Sequence, residues 1–159
     1  MNKLYLLLGS NMGDSKKQLK IAAKHIEKNI GKITRQSHYY QTAAWGKKDQ
    51  PDFLNQIVIL ETRLAAEITI KEILQIEADM GRLRTEKNAP RIIDIDILYF
   101  NKEKINLPQL QVPHPRIQNR RFVLIPLNEL SPNFVHPVLQ KNNHELLKIC
   151  KDKLDVKKI

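Results

Sequence analysis

The sequence contains a single cysteine, Cys150, so no pair of cysteines is available for an intramolecular disulfide. The apolar run from Leu4 to Leu8 is too short to form the core of a signal peptide or to span a membrane. No internal repeat, low-complexity segment or linker interrupts the 159 residues. These absences predict one domain over residues 1–159, located in a reducing cytoplasm and without membrane association.

The chain also lacks the glycine-rich sequences that commonly bind nucleotides. The turn at residues 9–14 has neither the Gly-Lys-Ser/Thr ending of a Walker motif nor the third glycine of a dinucleotide-binding fingerprint. We therefore expect this turn to have a structural role.

The formal net charge is +10, which indicates a preference for anionic ligands without identifying them. Lysines are scattered and include several between residues 151 and 158, whereas six of the eight arginines fall between Arg82 and Arg121. Arginine is the side chain best suited to bidentate phosphate contacts. The distribution predicts an anion site around the middle of the chain and a mostly solvated role for the lysines.

The segment that ends at Phe100 has the β-branched, aromatic composition of a strand and follows a breaker, Pro90. Because side chains alternate along a strand, Asp94 and Asp96 are predicted on one face, with Ile93, Ile95 and Ile97 on the other. Carboxylates are rarely buried unless they are paired or bind metal. Since Mg²⁺ commonly takes one or two carboxylates together with nucleotide phosphates, Asp94 and Asp96 are candidate magnesium ligands.

The remaining patterns predict a strand near each of residues 1–9, 32–41 and 53–64, and helices over 15–29, 66–80, 120–130 and 142–150. Residues 107–116 are expected to be extended and irregular. The order β-α-β-β-α-β predicts an α+β fold, namely a ferredoxin-like sandwich with an antiparallel sheet and helices packed mainly on one face of it. The other face, or a groove beside it, would be available for ligands.

Several motifs, taken in order, resemble the 6-hydroxymethyl-7,8-dihydropterin pyrophosphokinase family over nearly the whole chain. The most specific is the run Lys87-Asn-Ala-Pro-Arg91-Ile-Ile-Asp94-Ile-Asp96-Ile-Leu98. The others are Gly9-Ser10-Asn11, Tyr40-X-Thr42, Asp49-Gln-Pro-Asp-Phe-Leu-Asn55, Glu77 with Gly81-Arg82-X-Arg84, Val112-Pro-His114 and Asn119-Arg120-X-Phe122.

The resemblance implies a magnesium-dependent enzyme of folate biosynthesis that transfers pyrophosphate from ATP to 6-hydroxymethyl-7,8-dihydropterin. It implies that Asp94 and Asp96 hold two Mg²⁺ ions and that Arg82 and Arg91 neutralise the phosphates. The nucleotide site would be completed by Glu77, Arg84, Lys87, His114, Arg120 and main-chain groups near Ile97 and Leu110. The pterin pocket would be formed by Thr42, Ala43, Trp45, Asn55 and Asp94, with the ring held between Phe53 and Phe122.

Two other function classes fit parts of the sequence. A basic ferredoxin-like sheet suggests an RNA-binding module, but the Arg/Lys-Gly-Phe-type motif that such a module needs is missing. Gly9-Ser10 with Asp94-X-Asp96 suggests a nucleotidyltransferase, in which the Gly-Ser pair would lie much closer to the carboxylates. We therefore expect small-molecule substrates, no nucleic-acid partner and a monomer.

Overall fold

The computed structural model describes residues 1–44, 49–82 and 89–159. The described residues form eight strands and four α-helices. The strands are β1 (Asn2–Ser10), β2 (Gly31–Gln36), β3 (Tyr40–Thr42), β4 (Phe53–Thr62), β5 (Asp94–Phe100), β6 (Ile105–Leu107), β7 (Leu110–Val112) and β8 (Val156–Lys158). The helices are α1 (Ser15–Asn29), α2 (Ala66–Asp79), α3 (Arg121–Leu130) and α4 (Asn143–Ile149).

The main sheet has the strand order β5-β1-β4-β3-β8, and β2 pairs with the other half of β4. All of its pairings are antiparallel. Strand β1 lies between β4 and β5, so Gly9 is opposite Asn55 on one side and Asp94 on the other. The predicted α+β, ferredoxin-like sandwich is confirmed.

The strands are apolar on both faces because large hydrophobic residues occupy odd as well as even positions. Leu4, Leu6 and Leu8 of β1 pack with helices α1 and α2. Tyr5 and Leu7 of the same strand belong to a second cluster that includes residues of α3 and α4. The expectation that helices pack mainly on one face is therefore wrong, since the second apolar face also requires cover.

The helix boundaries follow local signals in the sequence. Helix α1 starts after Asp14, whose side chain accepts a hydrogen bond from the Lys17 N–H. Helix α2 is followed by Gly81, which has a φ of +89° that favours glycine. Helix α4 begins with a capping box formed by Asn142 and Glu145. All four predicted helices are confirmed to within a residue or two at their ends.

Three details differ from the sequence prediction. The single strand predicted over residues 32–41 is two strands, because the Ser37 hydroxyl accepts the Ile57 N–H at 2.9 Å and replaces a regular ladder contact. Residues 105–112 form the β6–β7 hairpin, whose turn contains Pro108. The lysine-rich end of the chain includes β8, which pairs with β3 while Lys157 and Lys158 stay exposed.

Helix α3 is attached to the edge of the sheet by the carboxylate of Glu129. This carboxylate accepts hydrogen bonds from the Tyr40 hydroxyl at 2.5 Å and from the His38 backbone N–H at 3.2 Å. Burial alone would raise the pKa of Glu129, but the hydrogen bonds from Tyr40 and His38 outweigh burial and lower it. The C-terminal end of α3 is therefore held in a fixed position relative to β3.

None of the helices within the described ranges has the length and apolar character needed to cross a bilayer.

We predict that Tyr40→Phe destabilises the protein by about 1 to 2 kcal/mol at neutral pH, because it removes a hydrogen bond to a charged group. A carboxyl whose pKa is lowered by folding stabilises the protein above its unfolded pKa, and this contribution is lost as pH falls through the folded pKa. The difference in unfolding free energy between wild type and Tyr40→Phe should therefore shrink on acidification. Denaturant titration at several pH values measures it.

The control is Tyr39→Phe, which removes the same atom from the neighbouring tyrosine. A Tyr40→Phe difference that is independent of pH would contradict the assigned role of Glu129.

Candidate active site

A pocket lies beside the second face of the sheet, near the N-terminal end of α3. Strands β1, β4 and β5 supply its floor. Arg120 and Phe122, which flank the first residue of α3, supply a wall. The side chains and backbone that line it belong to Leu7, Gly9, Thr42, Ala43, Phe53, Asn55, Arg91, Asp94, Asp96, Arg120 and Phe122. The fold therefore brings together residues as distant in the chain as Leu7 and Phe122.

The two aspartates of β5 both face this pocket. Ile93, Ile95 and Ile97 pack in the cluster with α1 and α2, so the predicted alternation of β5 is confirmed. Burial, reinforced by the carboxylates of Asp94 and Glu77, raises the pKa of Asp96 to about 8. The pocket thus concentrates negative charge on its β5 side, which favours a cationic ligand.

Two arginines neutralise Asp94 in this structure. Arg82 Nη1 donates to Asp94 Oδ1 at 2.8 Å, and Arg91 Nη1 donates to Asp94 Oδ2 at 3.3 Å. Arg82 Nη1 also donates to Glu77 Oε2 at 2.7 Å. Because all four side chains are largely removed from solvent, these ion pairs are screened less than surface pairs. The guanidinium groups are positioned at the mouth of the acidic site.

Asn11, at the turn after β1, joins two loops that border the pocket. Its side chain donates to Gln50 Oε1 at 2.6 Å and to the Pro51 carbonyl at 3.1 Å. Its Oδ1 accepts the Arg91 N–H at 2.9 Å, and its own N–H donates to the Arg91 carbonyl at 3.1 Å. The structural role expected for the turn at residues 9–14 is consistent with these contacts.

On the opposite side of the pocket, Asn55 and Thr42 present a polar edge. Asn55 is 3% exposed and its Nδ2 lies 3.4 Å from Thr42 Oγ1. A Cβ at Gly9 would lie 2.7 Å from Asn55 Oδ1, so glycine is the residue that leaves room for the amide. The amide can both donate and accept, which suits the edge of a polar heterocycle.

Both phenylalanines of the pocket carry an arginine over the ring. Arg91 Cζ lies 5.2 Å from the centre of the Phe53 ring, and Arg120 Cζ lies 5.6 Å from that of Phe122. These distances are typical of cation–π contacts. The aromatic and cationic parts of the site are therefore in direct contact, so the same side chains border the space for a ring and the space for an anion.

His114 follows the cis Val112–Pro113 peptide bond and lines a separate groove beside the β6–β7 hairpin, close enough to the pocket for the charges of Arg120 and Asp94 to act on it. Its Nδ1 accepts the Arg116 N–H at 3.1 Å, so the proton of the neutral ring is on Nε2. Burial, together with the positive charge of Arg120, lowers the pKa of His114 to about 4. His114 is therefore a neutral hydrogen-bond donor near neutral pH.

The structure places the remaining predicted site residues in three ways. Arg82 and Glu77 adjoin the pocket through the ion pairs described above. The side chains of Ile97 and Leu110 are buried in the hydrophobic core, so only their main-chain groups could meet a ligand. Trp45, Arg84 and Lys87 lie outside the described residues.

Leu7 and Gly9 line the pocket but are not among the predicted site residues. The face of β1 that lines the pocket follows from the register of β1 with β4 and β5. The sequence does not specify this register. The Gly9-Ser10-Asn11 motif marks the right place, but it carries no chemical group typical of catalysis.

The comparisons with known proteins identify the family. Residues 5–132 match the family model described as 7,8-dihydro-6-hydroxymethylpterin-pyrophosphokinase (HPPK). The chain is 41% identical over 138 residues to the folic acid synthesis protein FOL1 of Dictyostelium discoideum, covering 87% of this chain and 21% of that protein. It is 38% identical to the 2-amino-4-hydroxy-6-hydroxymethyldihydropteridine pyrophosphokinase of Methylorubrum extorquens, covering 85% of this chain and 86% of the relative.

Among solved structures, wild-type HPPK-DHPS of Plasmodium falciparum, crystallised with pteroate, has the same fold. The TM-score is 0.76 at 21% sequence identity, over 92% of this chain and 42% of that one. The chain thus spans most of the bacterial relative and less than half of the FOL1 and HPPK-DHPS proteins. From the family model and the curated relatives together, this chain belongs to the 7,8-dihydro-6-hydroxymethylpterin-pyrophosphokinase family.

Proposed function

We propose that this chain transfers the pyrophosphoryl group of ATP to the hydroxymethyl group of 6-hydroxymethyl-7,8-dihydropterin, giving AMP and the pterin pyrophosphate. The family model and the name of the Methylorubrum relative support this reaction. The name of the Dictyostelium relative supports its place in folate synthesis. The observation that carries the proposal is a pocket with two adjoining sides. One side is lined by aromatic rings and an amide, and the other by carboxylates and guanidinium groups.

The aromatic side would bind the pterin. Phe53 and Phe122 offer ring faces for stacking on a planar bicyclic molecule. Asn55 and Thr42 would exchange hydrogen bonds with its polar edge, and Ala43 would contact it. Trp45, which lies outside the described residues, stays a predicted member of this pocket.

The β5 side would bind the triphosphate with two Mg²⁺ ions. In the described ranges no group of three or more His, Cys, Asp or Glu side chains is arranged to hold a metal. The pair Asp94 and Asp96 nevertheless fits Mg²⁺, which often takes only one or two carboxylates because phosphates and waters complete its shell. The raised pKa of Asp96 supports the fit, since burial and the neighbouring carboxylates of Asp94 and Glu77 destabilise its anion and a bound cation would stabilise it.

The arginines would supply the rest of the phosphate contacts. Arg91 and Arg120 line the pocket, Arg82 adjoins it through Asp94, and His114 would donate from Nε2. Arg84 and Lys87 are proposed to join them, and main-chain groups near Ile97 and Leu110 would contact the nucleotide. Bound Mg²⁺ would neutralise phosphate charge and help to align the reacting oxygens.

Transfer then requires little covalent chemistry from the protein. The substrate hydroxymethyl oxygen attacks the β-phosphorus in line and releases its proton to solvent, the bond between the β-phosphorus and the α,β-bridging oxygen breaks, and AMP leaves with that oxygen and its electron pair. The protein holds the pterin on the aromatic side and the triphosphate between the arginines and the carboxylates, so that positioning and electrostatics carry the rate acceleration. We further propose that residues 1–159 act as one pyrophosphokinase domain, as a cytoplasmic monomer.

The reaction itself is tested by its products. We expect ATP, Mg²⁺ and 6-hydroxymethyl-7,8-dihydropterin to yield equimolar AMP and pterin pyrophosphate, measured by anion-exchange chromatography. Release of free pyrophosphate would instead favour a nucleotidyltransferase. Tight RNA binding without turnover would favour the RNA-binding module.

We predict that Asp96→Ala lowers kcat by about 100- to 1,000-fold, because the phosphate site loses one of its two carboxylates. The fold should be preserved, since the aspartate lines a pocket and belongs to neither hydrophobic cluster. Steady-state kinetics and a thermal melt measure the two effects. Asp155→Ala, on an exposed residue near the end of the chain, is the control and should match wild type.

We also predict that Gly9→Ala raises the KM for the pterin about tenfold and leaves the KM for ATP close to wild type. The added Cβ would displace the Asn55 amide and so weaken a hydrogen bond to the ring edge. Ser10→Ala is the matched control, because Ser10 is the next residue on β1 and does not line the pocket. An equal rise in both KM values would show that the change acts on the whole site and not on the pterin side.

A further inference from the structure

Glu77 has an environment unlike that of a ligand-binding side chain. It lies in the last turn of α2, and its side chain is only 4% exposed. Its Oε2 accepts hydrogen bonds from Arg82 Nη1 at 2.7 Å and from the Ile95 N–H at 2.8 Å. A carboxylate this deeply buried is tolerated only when it is paired and hydrogen-bonded, and both conditions are met.

The contact with Ile95 fixes where the carboxylate sits relative to the acidic pair. Ile95 lies between Asp94 and Asp96 on β5, and its side chain points to the opposite face, into the core. Because the N–H groups of a strand point along the sheet and not to either face, the Ile95 N–H holds Glu77 at the outer edge of β5, beside the face that carries the two candidate magnesium ligands. Helix α2 and strand β5 are linked at this point.

Arg82 is held by Glu77 twice. The Arg82 N–H donates to the Glu77 carbonyl at 3.0 Å, and Arg82 Nη1 donates to the Glu77 carboxylate. The same Nη1 also donates to Asp94 Oδ1 at 2.8 Å. The guanidinium thus spans a buried anchor, Glu77, and a pocket residue, Asp94. Of these two carboxylates, Asp94 lines the pocket and Glu77 does not.

We propose that Glu77 is a positioning residue that acts through Arg82. When metal and nucleotide bind at Asp94, the Glu77 carboxylate keeps the Arg82 guanidinium beside the phosphates. This inference rests on the proposed function and refines it, because Glu77 then aids transfer without touching the nucleotide through its side chain. The C-terminal end of α2 thereby has a role in catalysis, which the burial of Glu77 alone does not reveal.

Glu77→Gln separates this role from a purely structural one. The variant keeps an oxygen that can accept from the Ile95 N–H, but it removes the charge that holds the guanidinium. We expect kcat to fall about 10- to 100-fold, as misplacement of a charged group predicts, with nucleotide affinity changed much less. Hydrogen exchange of the Ile95 amide should stay at the wild-type rate. Glu67→Gln, an exposed glutamate on the same helix, is the matched control and should behave as wild type.

The coupling between the two residues is measured with Arg82→Ala and the double variant. If Glu77 acts through Arg82, then Glu77→Gln adds no further loss of kcat in the Arg82→Ala background. Losses that multiply in the double variant would overturn the proposal, and so would a wild-type kcat in Glu77→Gln. A fast Ile95 exchange together with a lower melting temperature in Glu77→Gln would show a structural role and would also overturn it.

A measurement on the unaltered protein is independent of turnover. The ¹⁵N NMR signal of the Arg82 side chain should show a restrained guanidinium both without ligand and with Mg²⁺ and a non-hydrolysable ATP analogue. An Arg82 guanidinium that becomes freely rotating in that complex would overturn the positioning role. If wild type makes no AMP, the proposed reaction fails, while the ligand-free signal of wild type and of Glu77→Gln still decides whether Glu77 restrains Arg82.

Discussion

The site depends on the compensation of buried carboxylates. Three acidic side chains, Glu77, Asp94 and Asp96, converge on one end of β5, where like charges repel and few waters are available. Charges in such a place are stable only when cations or hydrogen-bond donors are supplied. In this structure Arg82 and Arg91 supply them to Asp94 and Glu77. In the proposed reaction the same guanidinium groups would bind phosphates, so ligand-free stability and phosphate binding would use the same residues.

The sheet determines how close the two halves of the pocket come to each other. Strand β1 pairs with β4 and β5, and this register places Asn55 and Asp94 on either side of Gly9. The absence of a side chain at Gly9 lets the Asn55 amide occupy the space above the strand. Strands β4 and β5 are two strand spacings apart, about 10 Å, so the space over β1 would accommodate a ring beside Asn55 and a phosphate beside Asp94.

The loops around the pocket are connected to each other as well as to the sheet. Asn11 bonds the chain before Phe53 to the backbone of Arg91, and Arg91 lies over the Phe53 ring. The network of Glu129, Tyr40 and His38 holds α3, whose first turn carries Phe122 beside Arg120. These links join segments that are far apart in the sequence. A change in one loop is therefore expected to affect both the aromatic side and the carboxylate side of the pocket.

The sequence by itself determined the element order and the chemical character of the centre. Alternation in β5 showed that Asp94 and Asp96 share a face, and caps such as Asp14 and Gly81 marked the helix ends, because these are local properties of a few neighbouring residues. Local patterns could not show the split at Ser37 or the pairing of β8, since each depends on a distant partner. The β6–β7 hairpin is missed for a different reason, because the prolines of residues 107–116 favour irregular structure. Only the tertiary structure decided that helices cover both faces of the sheet, that Gly9 makes room for Asn55, and that Glu77 is buried against Arg82 and Ile95. Those features arise from strand register and packing between remote segments, and the identity of a residue does not specify which remote atoms it will meet.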